Sequence, residues 1–145
     1  MNARIFHLRE LAHSRAGDKG DTCNVSVIAY RPEFFDTIVT QVTEPQVRAH
    51  FGTLAKGRIT CYVLPQFHSI NFVLEEALGG GVTRSLSLDP HGKSYSALML
   101  TLPVLVNDAV AAMLRAAGRR PIDAGLIERL RVAGRLPAPV QAALG

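Results

Sequence analysis

Residues that could do chemistry are concentrated in three short segments of the chain. They are Arg15 to Asp21, the run Gly79-Gly80-Gly81, and Asp89 to Lys93. Each segment joins or follows a stretch with the composition of a strand, and loops at strand ends often carry binding residues. We therefore predict that the three segments lie on one rim of the fold and share a ligand site.

The segment from Arg15 to Asp21 is compatible with an anion site. Its two glycines permit positive φ angles and close backbone approach, and Arg15 and Lys19 add positive charge, so phosphate or carboxylate could bind there. Asp18 and Asp21 favour the opposite interpretation, because they can accept hydrogen bonds from the same amides in an Asx turn and would repel an anion. The residues alone leave both interpretations open.

Two nucleotide-binding motifs have partial counterparts in this segment. Gly17-Asp18-Lys19-Gly20 has the GxxG pattern of a KH domain, but that loop joins two helices, and here the flanking residues are typical of strands. The chain has no GxxxxGK(S/T) pattern, and the residues after Asp21 favour a strand where a phosphate-binding loop needs a helix. Neither motif supports nucleotide binding.

The other two segments are less specific. Three consecutive glycines exceed the single residue that a helix C-cap needs, so Gly79, Gly80 and Gly81 indicate either close approach of a ligand or a flexible turn. The polar candidates for catalysis form no Ser/His/Asp or Cys/His arrangement; they are Asp18, His68, Asp89, His91 and Lys93. We assign no catalytic residue from the sequence.

Neither the cysteines nor the histidines predict a metal site. Cys23 and Cys61 lie far apart in apolar runs without a CxxC pattern, which favours buried reduced thiols over a disulfide or a metal centre. The 5 histidines form no HxH or HExxH pattern. No metal or other cofactor is expected.

Composition predicts a globular protein. Of 145 residues, 48% are hydrophobic and 19% are charged, which is enough apolar material for a core and too little charge for disorder. No apolar run approaches the roughly 20 residues that span a bilayer, and residues 1–10 lack a signal-peptide core, so we expect a cytoplasmic protein without membrane contact. The net charge of +4 arises mainly from Asn107 onward, where 6 basic residues outnumber 3 acidic ones. Without interleaved aromatic residues these arginines do not favour a nucleic-acid partner.

The spacing of apolar residues predicts both strands and helices. Strands are expected over Ile5–Ala12, Asn24–Tyr30, Arg58–Leu64 and Ser85–Leu88, with a turn over Ser14–Thr22. Helices are expected over Phe35–Val42, Glu44–Gly52 and Ile70–Leu78. Tyr95–Leu102 could form a helix or a strand, because its apolar residues run without a break, and we favour a helix. This mixture, with an antiparallel hairpin near its start, predicts an α+β two-layer sandwich in which helices cover one face of a small sheet.

Residues 107–145 are predicted to form a helical, Arg-rich extension of a domain that comprises residues 1–106. Two helices are expected, over Asp108–Ala117 and Ile122–Val132. Because an isolated pair of short helices is only marginally stable, the extension must pack on its own core, on a second copy or on another partner. Its apolar stripes and the open face of the predicted sheet together favour a homo-oligomer.

The motifs combined resemble one protein family. The string from Leu11 to Asp21, followed by Asn24 and a Val/Ile-rich strand, resembles the start of the C-terminal domain of acyclic terpene utilisation (AtuA-like) proteins. Further similarities follow in the family's order, at Leu64-Pro65, Asn71-Phe72-Val73-Leu74, Leu78-Gly79-Gly80-Gly81-Val82, Leu88-Asp89 and Gly92-Lys93. The resemblance covers Phe6 to Leu102, with Ala16 where the family usually has serine.

This resemblance implies a ferredoxin-like two-layer sandwich and a set of ligand-binding residues. The set consists of Arg15, Gly17, Asp18, Lys19, Gly20, Asp21, Asn24, Asn71, Gly79, Gly80, Gly81, Asp89 and Lys93. In larger relatives the domain follows a large N-terminal domain, and those proteins are associated with the breakdown of acyclic terpenoids through CoA thioesters.

Two functions are compatible with the resemblance. In the first, the chain is a small subunit that helps to bind an acyl-CoA thioester or a carboxylate together with a separately encoded large subunit. In the second, it is a binding or assembly module that self-associates and has no catalysis of its own. A stand-alone enzyme is less favoured, because no catalytic constellation is visible in the sequence.

Overall fold

The computed structural model describes residues 2–77 and 93–145. The strands are β1 (Ile5–His7), β2 (Ala12–Lys19), β3 (Thr22–Ala29), β4 (Ile59–Leu64), β5 (Ser69–Leu74) and β6 (Pro103–Leu105). The α-helices are α1 (Phe35–Gln41), α2 (Glu44–Phe51), α3 (Lys93–Met99), α4 (Asp108–Ala116), α5 (Ala124–Val132) and α6 (Ala138–Leu144).

The described strands form two antiparallel sheets. The larger sheet has the order β2-β3-β5-β4, and the smaller consists of β1 and β6. One core contains Val25 and Phe72 from the large sheet together with Ile38 of α1, Val47 of α2 and Met99 of α3. Helices therefore cover one face of the large sheet, and the predicted α+β fold is confirmed.

The first hairpin is longer and tighter than its composition predicts. β2 and β3 pair along their full lengths and end with Lys19 opposite Thr22. Gly20 and Asp21 make the connection, and the φ angle of Gly20 is +62°, as the first position of a type II′ turn requires. The predicted turn over Ser14–Thr22 is therefore wrong, except for its last residues.

Small side chains explain why this polar segment is extended. Ser14 and Ala16 are half-buried on the helix-facing side of β2, which α3 contacts, whereas Arg15 and Gly17 are exposed on the other side. Burial that alternates from one residue to the next is typical of a strand that is covered on one face. Gly17 lies within this strand and has no positive φ angle, contrary to our expectation for that glycine.

The predicted helix over Ile70–Leu78 is wrong, because its first part is strand β5 and Leu78 lies outside the described residues. Ile70, Phe72 and Leu74 alternate along β5 and are all buried. β5 also pairs with strands on both sides, β3 and β4. The apolar run fits a period of 2 as well as a period of 3.6, and pairing at the centre of the sheet decides between them.

The remaining predicted elements differ less from the structure. The strands expected over Asn24–Tyr30 and Arg58–Leu64 correspond to β3 and β4, and the helices near residues 35, 44 and 95 correspond to α1, α2 and α3. The strand expected over Ile5–Ala12 is interrupted by a 3-10 turn at Leu8–Glu10, so that its start pairs with β6 and its end begins β2. The strand expected over Ser85–Leu88 lies outside the described residues.

The C-terminal extension packs on the core of its own chain. Ala111 and Leu114 of α4 are buried in the same cluster as the large sheet, and the Arg119 guanidinium lies 3.4 Å from the Glu10 carboxylate. A second cluster joins Ile5, Ile122, Ile127 and Val140, from β1, α5, α6 and the segment before α5. The helices expected in the extension are confirmed as α4 and α5, whereas α6, which directly follows Pro137, was not predicted.

Candidate functional site: a polar sheet face and a cleft beneath the C-terminal helices

One face of the large sheet is polar and open to solvent. The strand register places Arg15 of β2 opposite Ser26 of β3, Ser26 opposite Asn71 of β5, and Asn71 opposite Tyr62 of β4. Side chains in register project from the same face of a sheet, and both ends of this row are exposed. The four residues therefore form a row across the sheet on the side away from the helices.

A second row lies next to it, toward the hairpin turn. Gly17 is opposite Asn24, and Lys19 lies two residues beyond Gly17, on the same face. All three are exposed, and a Cβ atom added to Gly17 would meet no atom within 4 Å. The polar sheet face is defined here as Arg15, Gly17, Lys19, Asn24, Ser26 and Asn71.

Arg15 and Lys19 give the polar sheet face its positive charge. The Ser26 hydroxyl accepts a hydrogen bond from the Arg15 amide at 3.3 Å and donates one to the Arg15 carbonyl at 3.2 Å, which ties the backbones of β2 and β3 together. Within the described part of the chain, neither the Arg15 guanidinium nor the Lys19 ammonium makes an ion pair. Both charges are therefore available to an anion in solution.

Strand alternation separates Asp18 from these cations. Asp18 is opposite Cys23, which is fully buried, so its side chain lies on the helix-facing side of β2. Asp21 lies in the turn, and both aspartates have interaction partners in the structure. The predicted residues of the first segment are thus divided between the two faces of the hairpin and its turn.

The other two predicted segments cannot be placed in full. Gly79, Gly80, Gly81 and Asp89 lie outside the described residues, and Lys93 is the first residue of α3. The adjoining residues lie beside the hairpin turn, because the Ala77 amide donates to the Asp21 carbonyl at 3.0 Å and the Tyr95 hydroxyl donates to the Ala77 carbonyl. The common rim stays a prediction, which these two contacts support.

A cleft that the sequence did not predict lies between the sheet domain and the C-terminal helices. Its volume is about 320 Å³, and it is named the tail cleft below. It is lined by His7, Arg9, His50, Thr101, Pro103, Leu126, Leu130 and Arg135. These residues are spread over most of the chain, so no local motif could have indicated the cleft.

Hydrogen bonds determine which ring nitrogen of His50 carries the proton in the tail cleft. Its Nε2 atom lies 3.0 Å from the Leu98 carbonyl oxygen and 2.9 Å from Thr101 Oγ1. The Thr101 hydroxyl donates a hydrogen bond to the same Leu98 carbonyl at 2.7 Å. Because a carbonyl only accepts hydrogen bonds, Nε2 carries the proton of the imidazole.

The two histidines of the tail cleft are poor proton acceptors. Burial lowers the pKa of His50; the Leu98 hydrogen bond opposes this shift and Arg135 adds to it. Burial also lowers the pKa of His7; Arg9 and His50 add to the shift and Glu10 opposes it. Both imidazoles are therefore neutral at pH 7, and the positive charge of the cleft comes from Arg9 and Arg135.

Other kinds of site receive no support from the described residues. Among residues 2–77 and 93–145, no group of three or more His, Cys, Asp and Glu side chains could hold a metal ion. Cys23 is buried and Cys61 is half-buried, and burial raises the pKa of the Cys61 thiol. None of the helices in this part of the chain has the length and hydropathy needed to cross a membrane.

The fold and the polar sheet face define the chain as an α+β domain whose antiparallel sheet is covered by helices on one side and exposes cationic and amide side chains on the other. The family model described as AtuA ferredoxin-like domain matches residues 6–105, and the chain belongs to this family. No curated protein and no solved structure matches the chain significantly.

Proposed function

We propose that the polar sheet face binds an anionic ligand, an acyl-CoA thioester or a carboxylate, and that the chain does so as a small subunit together with a separately encoded AtuA-like large subunit. The observation that carries this proposal is the position of Arg15, Lys19, Asn24 and Asn71 around Gly17 on one exposed face. The two cations attract the anion, and the amide groups donate hydrogen bonds to its oxygens.

Gly17 supports ligand binding at this face in particular. Glycine weakens a strand interior and often marks a place where a ligand or another backbone approaches closely. The space around Gly17 is open on the polar sheet face, between Asn24 across the strand pair and Lys19 along the strand. An anion that lies against the backbone at Gly17 would therefore reach the charged and amide groups together.

The open shape of this face supports the proposal of a second subunit. A ligand on a sheet surface is contacted from one side, whereas small-molecule sites usually bury most of their ligand. A large subunit that covers the polar sheet face would enclose the ligand between the two chains. The relation to larger AtuA-like proteins, in which this domain adjoins a large one, supports such a partner.

Lys19→Ala is expected to weaken binding of acetyl-CoA about ten- to hundred-fold, because it removes one charge-assisted hydrogen bond. The thermal midpoint should remain nearly unchanged, since Lys19 is exposed and pairs with no carboxylate among the described residues. Isothermal titration measures the dissociation constant, with the large subunit added where a neighbouring reading frame encodes one. Lys56→Ala, which removes an exposed lysine before β4, is the matched control and should bind as the wild type does.

An unchanged dissociation constant combined with a large loss of stability would contradict this proposal. It would mean that Lys19 stabilises the hairpin and contacts no ligand. Gly17→Val provides an independent test, because valine favours a strand and a Cβ atom at this position would meet no atom within 4 Å. It should preserve the fold and abolish binding by occupying the place of the ligand.

One edge of β4 pairs with no strand among the described residues and is called the free edge below. It favours a second candidate function, self-association as a binding or assembly module. Among the described strands β4 pairs only with β5, and its segment Ile59–Leu64 contains no charged residue or proline. Tyr62, Val63 and Leu64 are exposed along it. Natural edge strands usually carry lysine, proline or a bulge that prevents pairing, and β4 has no lysine or proline.

The hydrogen-bond pattern of β4 defines how two copies would pair. The Glu75 amide donates to the Arg58 carbonyl at 2.9 Å, so Arg58 and every second residue after it bond to β5. The backbone groups of Ile59, Cys61 and Val63 therefore point to the free edge. An antiparallel pair with Cys61 on the two-fold axis uses all of them and continues both faces of the sheet into the second copy.

Val63→Lys is expected to convert a dimer into a monomer, because a charged residue would enter the new strand pair. Light scattering coupled to size exclusion measures the mass, and Val132→Lys, at a valine that is 73% exposed on α5, is the control. Oxidation should cross-link wild-type dimers through Cys61, since paired Cα atoms about 5.5 Å apart suit a disulfide. A wild-type mass of one chain at micromolar concentration would exclude this second function.

A further inference from the structure

We infer that the tail cleft is a binding site for a small carboxylate with an apolar body, separate from the polar sheet face. The two sites share no residue. The inference rests on three features of the cleft, which are its charge, its apolar lining residues and its volume.

The charge of the tail cleft is positive and uncompensated on one side. Arg135 lies after α5, and it makes no ion pair within the described residues. The guanidinium of Arg9 lies 3.3 Å from His7 Nδ1, and its contact with the Glu10 carboxylate is long, at 3.9 Å. Among residues 2–77 and 93–145 no carboxylate lines the cleft. A guanidinium matches the two oxygens of a carboxylate in geometry and charge.

Part of the lining of the tail cleft is apolar. Leu126 and Leu130 are four residues apart on α5 and therefore lie on the same face of that helix. Pro103 of β6 also lines the cleft. An inorganic anion would leave these apolar side chains without a partner, whereas a carboxylate with an alkyl or alkenyl body would contact them as well as the arginines.

The volume of the tail cleft limits the ligand to a small molecule. At about 320 Å³ the cleft is near the lower end of the range for ligand cavities, which begins at about 300 Å³. A neighbouring cavity of about 90 Å³ also has His50 and Arg135 in its lining. An entire CoA thioester is too large for this space, so a free short-chain acid is the class of ligand that fits.

Titration of the full chain with hexanoate, acetate and hexan-1-ol tests the inference. Hexanoate carries both a carboxylate and an apolar body, acetate carries the carboxylate with almost no apolar body, and hexan-1-ol carries the apolar body without the charge. We expect hexanoate to bind more tightly than either of the others and to shift the methyl NMR signals of Leu126 and Leu130. Equal affinity for hexanoate and hexan-1-ol would overturn the inference, as would the absence of any saturable shift.

The variant Arg135→Gln tests whether Arg135 binds the carboxylate group of the ligand. It should weaken hexanoate binding about ten- to hundred-fold and leave the weaker affinity for hexan-1-ol unchanged. Arg120→Gln removes the same charge at an exposed arginine outside the cleft and should have no effect. Lys19→Ala should also leave hexanoate binding unchanged, which separates this site from the polar sheet face. Unchanged hexanoate binding in Arg135→Gln would show that the tail cleft is not the site.

Discussion

Phe72→Ala is expected to lower the free energy of unfolding by about 3–5 kcal/mol, the range for truncating a buried phenylalanine. Phe72 is fully buried in β5, with Val25 of β3 opposite it on one side and Cys61 of β4 on the other. Removing its ring would leave a cavity between the sheet and the helices. Chemical denaturation followed by far-UV circular dichroism measures the change.

Val73→Thr is the matched control for this prediction. The side chain of Val73 lies on the polar sheet face side of β5 and is half-buried, so a strand-forming residue of similar shape should change stability by about 0.5 kcal/mol or less. In a helix over residues 70–78, Val73 would belong to the apolar stripe and Phe72 would lie outside it. A larger loss for Val73→Thr than for Phe72→Ala would therefore contradict the strand.

Leu114→Ala is expected to destabilise the whole chain by about 2–5 kcal/mol. Leu114 of α4 is 1% exposed and lies in the same core cluster as Phe72, although the family match ends at residue 105. Because the core is shared, the loss should appear as a lower denaturation midpoint for the sheet as well as for the helices. Amide hydrogen exchange in β3 and β5 reports on the sheet separately.

The control for Leu114→Ala is Val132→Ala, in the same C-terminal extension. Val132 is 73% exposed, so its truncation should change stability by about 0.5 kcal/mol or less. Unchanged exchange rates in β3 and β5 after Leu114→Ala would mean that the extension unfolds independently of the sheet. The packing of α4 on the core would then contribute nothing to the stability of the family domain.

Several arginines of the C-terminal extension make specific contacts because the extension packs on the core. Arg115 donates to the Ala3 carbonyl at 3.3 Å, Arg119 pairs with Glu10, and Arg131 pairs with Glu128. Arg135 lines the tail cleft. Four of the six arginines in residues 107–145 therefore make contacts within the chain or line the cleft.

Local patterns in the sequence determined much of this protein. The order of strands and helices predicted the α+β class. The string from Leu11 to Asp21 indicated the AtuA-like family, to which the match over residues 6–105 assigns the chain. The apolar stripes after Asn107 predicted α4 and α5. These features depend on residues that are close together in the sequence. Secondary-structure propensity and helix capping act over the same short range, about one or two helical turns.

Tertiary structure decided the features that depend on distant residues. The run from Ile70 to Leu74 suits a helix or a strand by itself, and it is a strand because β3 and β4 satisfy its backbone on both sides. The segment from Ser14 to Lys19 is extended because β3 and α3 cover it, although its composition favours a turn. The tail cleft joins His7 to Arg135 only when the extension packs on the core. Contacts across such separations leave no periodic signal in the sequence, because loop closure and packing, rather than neighbouring residues, bring them together.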